Sequence, residues 1–514
     1  MAAGNLYSAL RAAFPADMDA VAVETADGPD APAFFTWRDL DRASARIANL
    51  LASLELPAAS RIAVQTDKCV EALLLYLAVL RAGHVYLPLN NAYQAAEIEY
   101  FVGNAEPAVF VCTPKNFAWI SKIAFRAGTK NVFTLGDDRS GTLLERAAGH
   151  ADEHAVVPRE PGDLASIIYT SGTTGRSKGA MLTHGNLLSN ARTLKDYWDW
   201  RPGDVLLHAL PIFHVHGLFV ALHGALLNGS KMLWFNRFDA KAAIARLPEV
   251  TVFMGVPTLY TRMLAEPALD AAACARMRLF ISGSAPLLKE TFDAWTQRTG
   301  LTILERYGMS ETVMLTSNPC RPQDGARVGG TVGYALPGVG VRVHGDQGQP
   351  LAPGEIGGIE VRGPNVFAGY WRMPEKTQEE FTADGWFRTG DVGRLDADGR
   401  LTIVGRSKDL IITGGYNVYP AEIEGLINEL PGVAESAVVG VPHPDFGEGV
   451  VAVVVRRGGA VLDGAAIAAT LKGRIAAFKV PKQVFVVDEL PRNAMGKVQK
   501  NLLREQHRGL FIPT

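Results

Sequence analysis

Residues 168–179 read Ile-Tyr-Thr-Ser-Gly-Thr-Thr-Gly-Arg-Ser-Lys-Gly, a loop rich in hydroxyls and glycine that ends in a lysine and follows an apolar run. The chemistry open to such a loop is the holding of phosphates. Glycine lets backbone approach an anion with no Cβ in the way, Ser and Thr supply neutral donors, and Lys178 adds a mobile point charge. Thr170, Ser171, Gly172, Thr173, Thr174, Gly175 and Lys178 are therefore the candidate phosphate contacts. Walker A needs Gly-Lys followed by Ser or Thr after a longer glycine spacing, and no segment has it, which argues against a P-loop ATPase. Gly175 to Gly179 also fits the GxSxG spacing of a hydrolase elbow. That motif requires a strand running straight into the serine and a helix straight out. Here a Ser/Thr/Gly loop separates the apolar run from Ser177, so a serine nucleophile is rejected.

Four further segments follow in order: Glu305-Arg306-Tyr307-Gly308-Met309-Ser310-Glu311-Thr312, Trp386 to Asp391, Gly405 to Gly415, and Pro491 to Lys497. In type and order the five resemble the motifs of the adenylate-forming superfamily, which includes acyl-CoA synthetases, nonribosomal-peptide adenylation domains and luciferase. The resemblance implies ATP, Mg2+ and coenzyme A as co-reactants. It implies that Tyr307, with Gly308, stacks on adenine and that Glu311 binds the metal. It also implies that Asp391 holds both ribose hydroxyls, a task that suits an acceptor-only carboxylate. Arg406 would lie near the ribose, Lys408 at a hinge, Gly414 and Gly415 beside a pantetheine tunnel, and Lys497 at the reacting phosphate. Ser282, Gly283 and Ser284 fall in the nucleotide pocket on the same basis. His214 and His216 lie where the superfamily has an aromatic or histidine gating the acid. For His214 and for His216 a packed core histidine is an equal alternative.

The acid is read from arginines. A dicarboxylate would bury a second, unreacted anion, which costs several kcal/mol unless it is paired. Arginine is its natural partner, planar and bidentate. Arg306, next to Tyr307, and Arg262, in Gly255 to Arg262, both adjoin segments expected to line the acyl pocket. The segments ALPIFHVHGLF, MGVPTLYTRML, RLFISGSAPL and LERYGMSET resemble malonyl-CoA synthetases within the superfamily. That resemblance implies that Arg262, Arg306, His214 and Met309 contact malonate or methylmalonate. Two other functions stay open: a synthetase for short or medium monocarboxylic acids, and a non-catalytic acyl-adenylate binding protein.

The elements that must position these residues alternate in kind. Apolar positions Leu40, Ala43, Ile47, Leu50, Leu51 and Leu54 keep helical spacing, and Arg61 to Gln65 is a β-rich run. The alternation recurs at Ala108 to Cys112, Ser166 to Thr170 and Met277 to Ser282, which predicts an α/β class with parallel strands. Short strands over Glu355 to Arg362 and Arg400 to Val404 predict a β-rich subdomain. Beyond Gly405, strands at Ala437 to Val441, Val450 to Val455 and Val484 to Val487 around a helix near Leu471 to Phe478 predict a small, mobile α+β domain. The expected division is 1–406, a large N-terminal domain, and 407–514, with the hinge at Lys408. Gly447 to Ala452 fits GxGxxA, but it leads into a valine run and not a helix, so no dinucleotide site is expected.

Composition narrows the partners. Of 514 residues 48% are hydrophobic and 20% charged, ordinary for a globular protein, and the net charge of −2 argues against a nucleic-acid binder. Cys69, Cys112, Cys274 and Cys320 are scattered with no CxxC pair, so zinc and disulfides are not expected and a reducing, cytoplasmic setting is. Ala72 to Leu80 is apolar but far short of the roughly 20 residues that span a bilayer. It is read as a buried helix, and no membrane partner is expected.

Overall fold

Two sheets carry the first part of the chain. In the computed structural model, which describes residues 4–26, 32–170, 177–345, 347–472, 474–493 and 496–511, the chain forms two compact units. They are Met1–Gly340 with Val361–Phe387, and Val341–Glu360 with Arg388–Thr514.

In the first unit a six-stranded sheet runs in the order Asn131–Thr134, Val109–Cys112, Arg61–Gln65, Val85–Pro88, Leu164–Thr170, Lys178–Thr183. The pairs are parallel except the last, an antiparallel hairpin in which Thr170 faces Lys178. Strands covered on both faces read as unbroken apolar runs, as Val109–Cys112 does. The helix Val70–Arg81 is buried along its whole length, which explains why its sequence lacks a polar face.

The second sheet of this unit has nine strands and positions most of the motifs. Its order includes Ile303–Met309, Leu279–Ser282, Val252–Gly255 and Val205–His208 as consecutive neighbours, all parallel. Each of these strands ends at the same edge of the sheet, and each runs on into one of the motif segments: Tyr307 to Glu311, Gly283-Ser284, Val256 to Arg262, and Pro211 to His216. In open α/β sheets the carboxyl ends of parallel strands are where ligands bind. The motifs are thus gathered by topology although they span a hundred residues of sequence.

The second unit contains a four-stranded sheet ordered Gly340–His344, Gly357–Arg362, Phe387–Leu395, Leu401–Arg406, and a five-stranded sheet centred on Val433–His443 and Gly447–Arg456. Valine-rich alternation in these two long strands buries one face against Ile423, Ile427, Ile467 and Leu471, and the other against Leu490 and Leu503. Gly447–Arg456 is itself a strand, so the GxGxxA spacing there opens no helix. One sequence expectation shifts. The helix expected near Leu471 to Phe478 is Gly464–Leu471, followed by a single 3₁₀ turn at Ala477–Lys479. Asp463 caps it, its side chain accepting from the Ala465 N–H at 2.9 Å. That cap sets the start at Gly464, seven residues before Leu471.

Candidate active site

The segment expected to hold phosphates lies in sequence between Leu164–Thr170 and Lys178–Thr183, which pair antiparallel. Ser171, Gly172, Thr173, Thr174 and Gly175 lie outside the described residues. Thr170 is half-buried and donates from Oγ1 to the Lys178 carbonyl at 3.4 Å. A strand, not a helix, follows Ser177, which rules out the hydrolase elbow. Lys178 is held at both ends of its reach. Its ammonium lies 3.4 Å from Glu380 Oε1 and 4.2 Å from the centre of the Tyr370 ring.

Tyr307, Gly308 and Met309 end the strand Ile303–Met309 and turn back through Val313–Ser317, with a register shift between Tyr307 and Gly308. Glycine is required at 308. A Cβ there would stand 1.9 Å from the Val313 carbonyl oxygen. Tyr307 and Met309 are half-buried, while Glu311 in the same turn is buried. Tyr370 donates from Oη to Glu311 Oε1 at 2.9 Å. Among the described residues no three His, Cys, Asp or Glu side chains cluster to cage a metal. One buried carboxylate that shares Tyr370 with the Lys178 ammonium suits Mg2+, which is usually bound by one or two carboxylates together with substrate phosphates.

Arg306 is the most unusual residue here, 2% exposed, with Nε and Nη2 lacking any hydrogen-bond partner among the described residues. Burial lowers its pKa to about 9. Burial raises the carboxyl of its neighbour Glu305 to about 8, against the opposing pull of the Leu287 N–H, which donates to Oε1 at 3.0 Å, and of the Arg306 charge. His216 lies nearby, buried, its Nδ1 sharing a 3.3 Å hydrogen bond with Ser284 Oγ and its Nε2 unpartnered. Burial first, and then the Arg306 charge, push its pKa well down, so the ring is neutral. Ser284 holds a φ of +70°, a strained value for a residue with a side chain, and Ser282 Oγ is buried without a partner. A buried guanidinium and a neutral imidazole close enough to feel its charge, both with unused capacity among the described residues, are groups suited to an anion.

The remaining expected residues fall elsewhere. His214 is half-buried, its Nδ1 accepting from the His216 N–H at 3.4 Å. Arg262 is exposed on the helix Pro257–Leu264, whereas Tyr260, two residues earlier, is buried and faces the Arg306 charge. Of the two arginines, only Arg306 joins the buried cluster. Tyr370 and Glu305 are not singled out as site residues by the sequence, and nothing in local spacing marks Tyr370. His214 and His216 stand as equal candidates there, and only burial separates the two.

In the second unit Asp391 and Arg406 are cross-strand partners, with Arg406 Nε 2.9 Å from Asp391 Oδ1 and Asp391 only 4% exposed. Lys408 follows in a 3₁₀ turn, and burial lowers its ammonium to about 8. Gly414 and Gly415 form the two-residue turn between Ile411–Thr413 and Tyr416–Val418, with φ of +57° and +81°. Two positive φ values in a tight hairpin call for glycine on conformation alone. Lys497 is exposed, its backbone N–H donating to Asn493 Oδ1 at 3.0 Å and its carbonyl accepting from the Asn493 N–H at 2.9 Å.

A nucleotide-binding α/β enzyme with a separate smaller unit is the class these features define, and the comparisons with known proteins agree. The chain belongs to the AMP-binding enzyme family, whose model matches residues 10–371, with the family's C-terminal domain matching residues 422–497. It is 35% identical to a malonate–CoA ligase of Arabidopsis thaliana over 87% of this chain and 78% of that one. It is also 35% identical to a feruloyl-CoA synthase of an Amycolatopsis species, over 92% and 94%. Among solved structures, ATP-bound MatB from Rhodopseudomonas palustris is 53% identical and superposes with a TM-score of 0.95, covering 99% of both chains. No helix among the described residues is long and apolar enough to cross a membrane.

Proposed function

We propose that this chain is an AMP-forming acid–CoA ligase whose acid is malonate, with methylmalonate as a further substrate. The observation that carries the choice of acid is Arg306, buried with two donor nitrogens, Nε and Nη2, unpartnered among the described residues. Such a charge is poorly served by a monocarboxylate, whose one carboxylate must face ATP, and well served by a distal carboxylate arriving with its partner already in place. The malonate–CoA ligase among the relatives supports the same reading.

In the first half-reaction a carboxylate oxygen attacks the α-phosphorus of ATP. The new oxygen–phosphorus bond forms as the bond to pyrophosphate breaks, so catalysis is mainly positioning and neutralisation of charge. Lys178 and the loop ahead of it hold the phosphates, Tyr307 stacks on adenine, Asp391 accepts both ribose hydroxyls, and Arg406 lies beside it. Glu311 would hold magnesium together with the phosphates, and the ion would supply neutralising charge. Arg306 anchors the distal carboxylate, with Met309 and His214 at the approach to the reacting one. Lys497 stabilises the oxyanion charge of the transition state. In the second half-reaction the CoA thiol attacks the acyl carbon, a carbon–sulfur bond forms, and AMP departs. Rotation of residues 407–514 about Lys408 exchanges Lys497 for the turn at Gly414-Gly415, beside which the pantetheine enters. Four free cysteines suit a reducing compartment, and we place the enzyme in the cytoplasm.

The test is pyrophosphate release with ATP, Mg2+ and CoA across malonate, methylmalonate, succinate, acetate and octanoate. Strong malonate dependence is expected. Preference for acetate or octanoate would keep the chemistry and remove the dicarboxylate assignment, and no release with any acid would favour a binding protein.

A further inference from the structure

Residues 367–371 form a strap that ties together two motifs far apart in sequence. Its backbone joins the phosphate-loop hairpin, with the Met181 N–H donating to the Gly369 carbonyl at 3.0 Å and the Trp371 N–H to the Gly179 carbonyl at 2.8 Å. The Phe367 N–H donates to the Glu311 carbonyl at 2.8 Å. Phe367 packs on Tyr370, Phe381 and Phe387, with ring centroids 4.8, 5.9 and 5.1 Å away, which fixes the strap from behind. At its centre Tyr370, 3% exposed, donates from Oη to Glu311 Oε1 at 2.9 Å and presents its ring face to the Lys178 ammonium at 4.2 Å.

We propose that Tyr370 is a positioning residue that couples the phosphate loop to the metal carboxylate. Its hydroxyl fixes the rotation of the Glu311 carboxylate, and its ring holds Lys178 over the phosphates. With Glu380 on the other side of the ammonium, these contacts hold the lysine and the carboxylate in one arrangement before ATP binds, which lowers the entropy lost on binding. A cation over a tyrosine face and a hydrogen bond to a charged acceptor are each large enough to matter. This rests on the reading that Glu311 holds Mg2+, with Mn2+ as its spectroscopic stand-in.

The two halves separate experimentally in the full-length protein. Tyr370→Phe keeps the ring and its packing and removes only the hydroxyl. Mn2+ affinity in the presence of ATP, read by electron paramagnetic resonance, is expected to fall about tenfold, the scale of a hydrogen bond to a charged group. ATP binding in EDTA, read by calorimetry, and the melting temperature are expected to stay at the wild-type values. Tyr370→Leu removes the ring and is expected to weaken metal-free ATP binding as well. A Phe variant with wild-type Mn2+ affinity, beside a Glu311→Gln variant that has lost it, would overturn the coupling alone. A Glu311→Gln variant with undiminished Mn2+ binding would overturn the metal reading and the coupling with it. Equal metal-free ATP binding by the Leu and Phe variants would overturn the role of the ring.

Discussion

The guanidinium of Arg306 packs directly against the Cα of Gly283: a Cβ built on Gly283 would stand 2.4 Å from Cζ of Arg306. Glycine at 283 is therefore a condition for the position of the guanidinium. Gly283→Ala is expected to displace the guanidinium and raise the KM for malonate at least about tenfold, the scale of one charged hydrogen bond. The KM for ATP should change far less. Equal losses for the two substrates, measured in the same pyrophosphate assay, would show that residue 283 serves the nucleotide.

Glu305 gives the fold a pH signature. Its carboxyl is raised to about 8 in the folded chain, burial being the main cause, from 4.5 for the unfolded group. Below pH 4.5 both states hold the proton and the group is neutral in effect. Between 4.5 and about 8 the folded chain holds a proton that the unfolded chain has lost, so stability falls as pH rises. The full cost is at most about 5 kcal/mol, at roughly 1.4 kcal/mol per pK unit. Glu305→Gln should flatten that slope. Thermal melts of both proteins from pH 5 to 8 should converge at the acid end and diverge at the alkaline end, with the variant the more stable. Parallel curves would place the Glu305 carboxyl in its ordinary range.

Much of this site could be read from the chain because it is built from contiguous segments whose residue types have few other uses together. The strands also announced themselves: the apolar runs at Ala108 to Cys112 and Ser166 to Thr170 are strands at Val109–Cys112 and Leu164–Thr170. What escaped was long-range. Tyr370 meets Glu311 and Lys178 across 59 and 192 positions, and no periodicity encodes such a meeting. His214 and His216 are told apart only by burial. Arg262 and Arg306 look alike in sequence, yet one lies on an exposed helix and the other behind a sheet edge.

Asp391 pairs with Arg406, whose side chain is 44% exposed and can hydrate when its partner is removed. Asp391→Asn should therefore fold. Loss of charged acceptors for the ribose hydroxyls should raise the KM for ATP about 10- to 100-fold, at roughly 1.5–3 kcal/mol per charged hydrogen bond, with the KM for malonate nearly unchanged. An unaltered ATP KM in steady-state kinetics would remove Asp391 from the nucleotide site.

Lys497 is exposed, so its substitution should leave stability alone. Lys497→Ala should slow pyrophosphate exchange about 10²- to 10³-fold, the scale of losing one preorganised group at an oxyanion. Thioester formation from synthetic malonyl-adenylate and CoA should persist, because that step does not use the lysine. Equal loss in both half-reactions, followed by mass spectrometry of the thioester, would place Lys497 in a structural role.

The most direct measurement is the ratio of kcat/KM for malonate to that for acetate, in the native enzyme and in Arg306→Ala. Stranding a buried carboxylate costs about 3–5 kcal/mol, so the ratio should collapse by at least about 100-fold while ATP binding, read by calorimetry, survives. Unchanged malonate turnover in the Arg306→Ala enzyme would contradict the assignment of malonate as the acid.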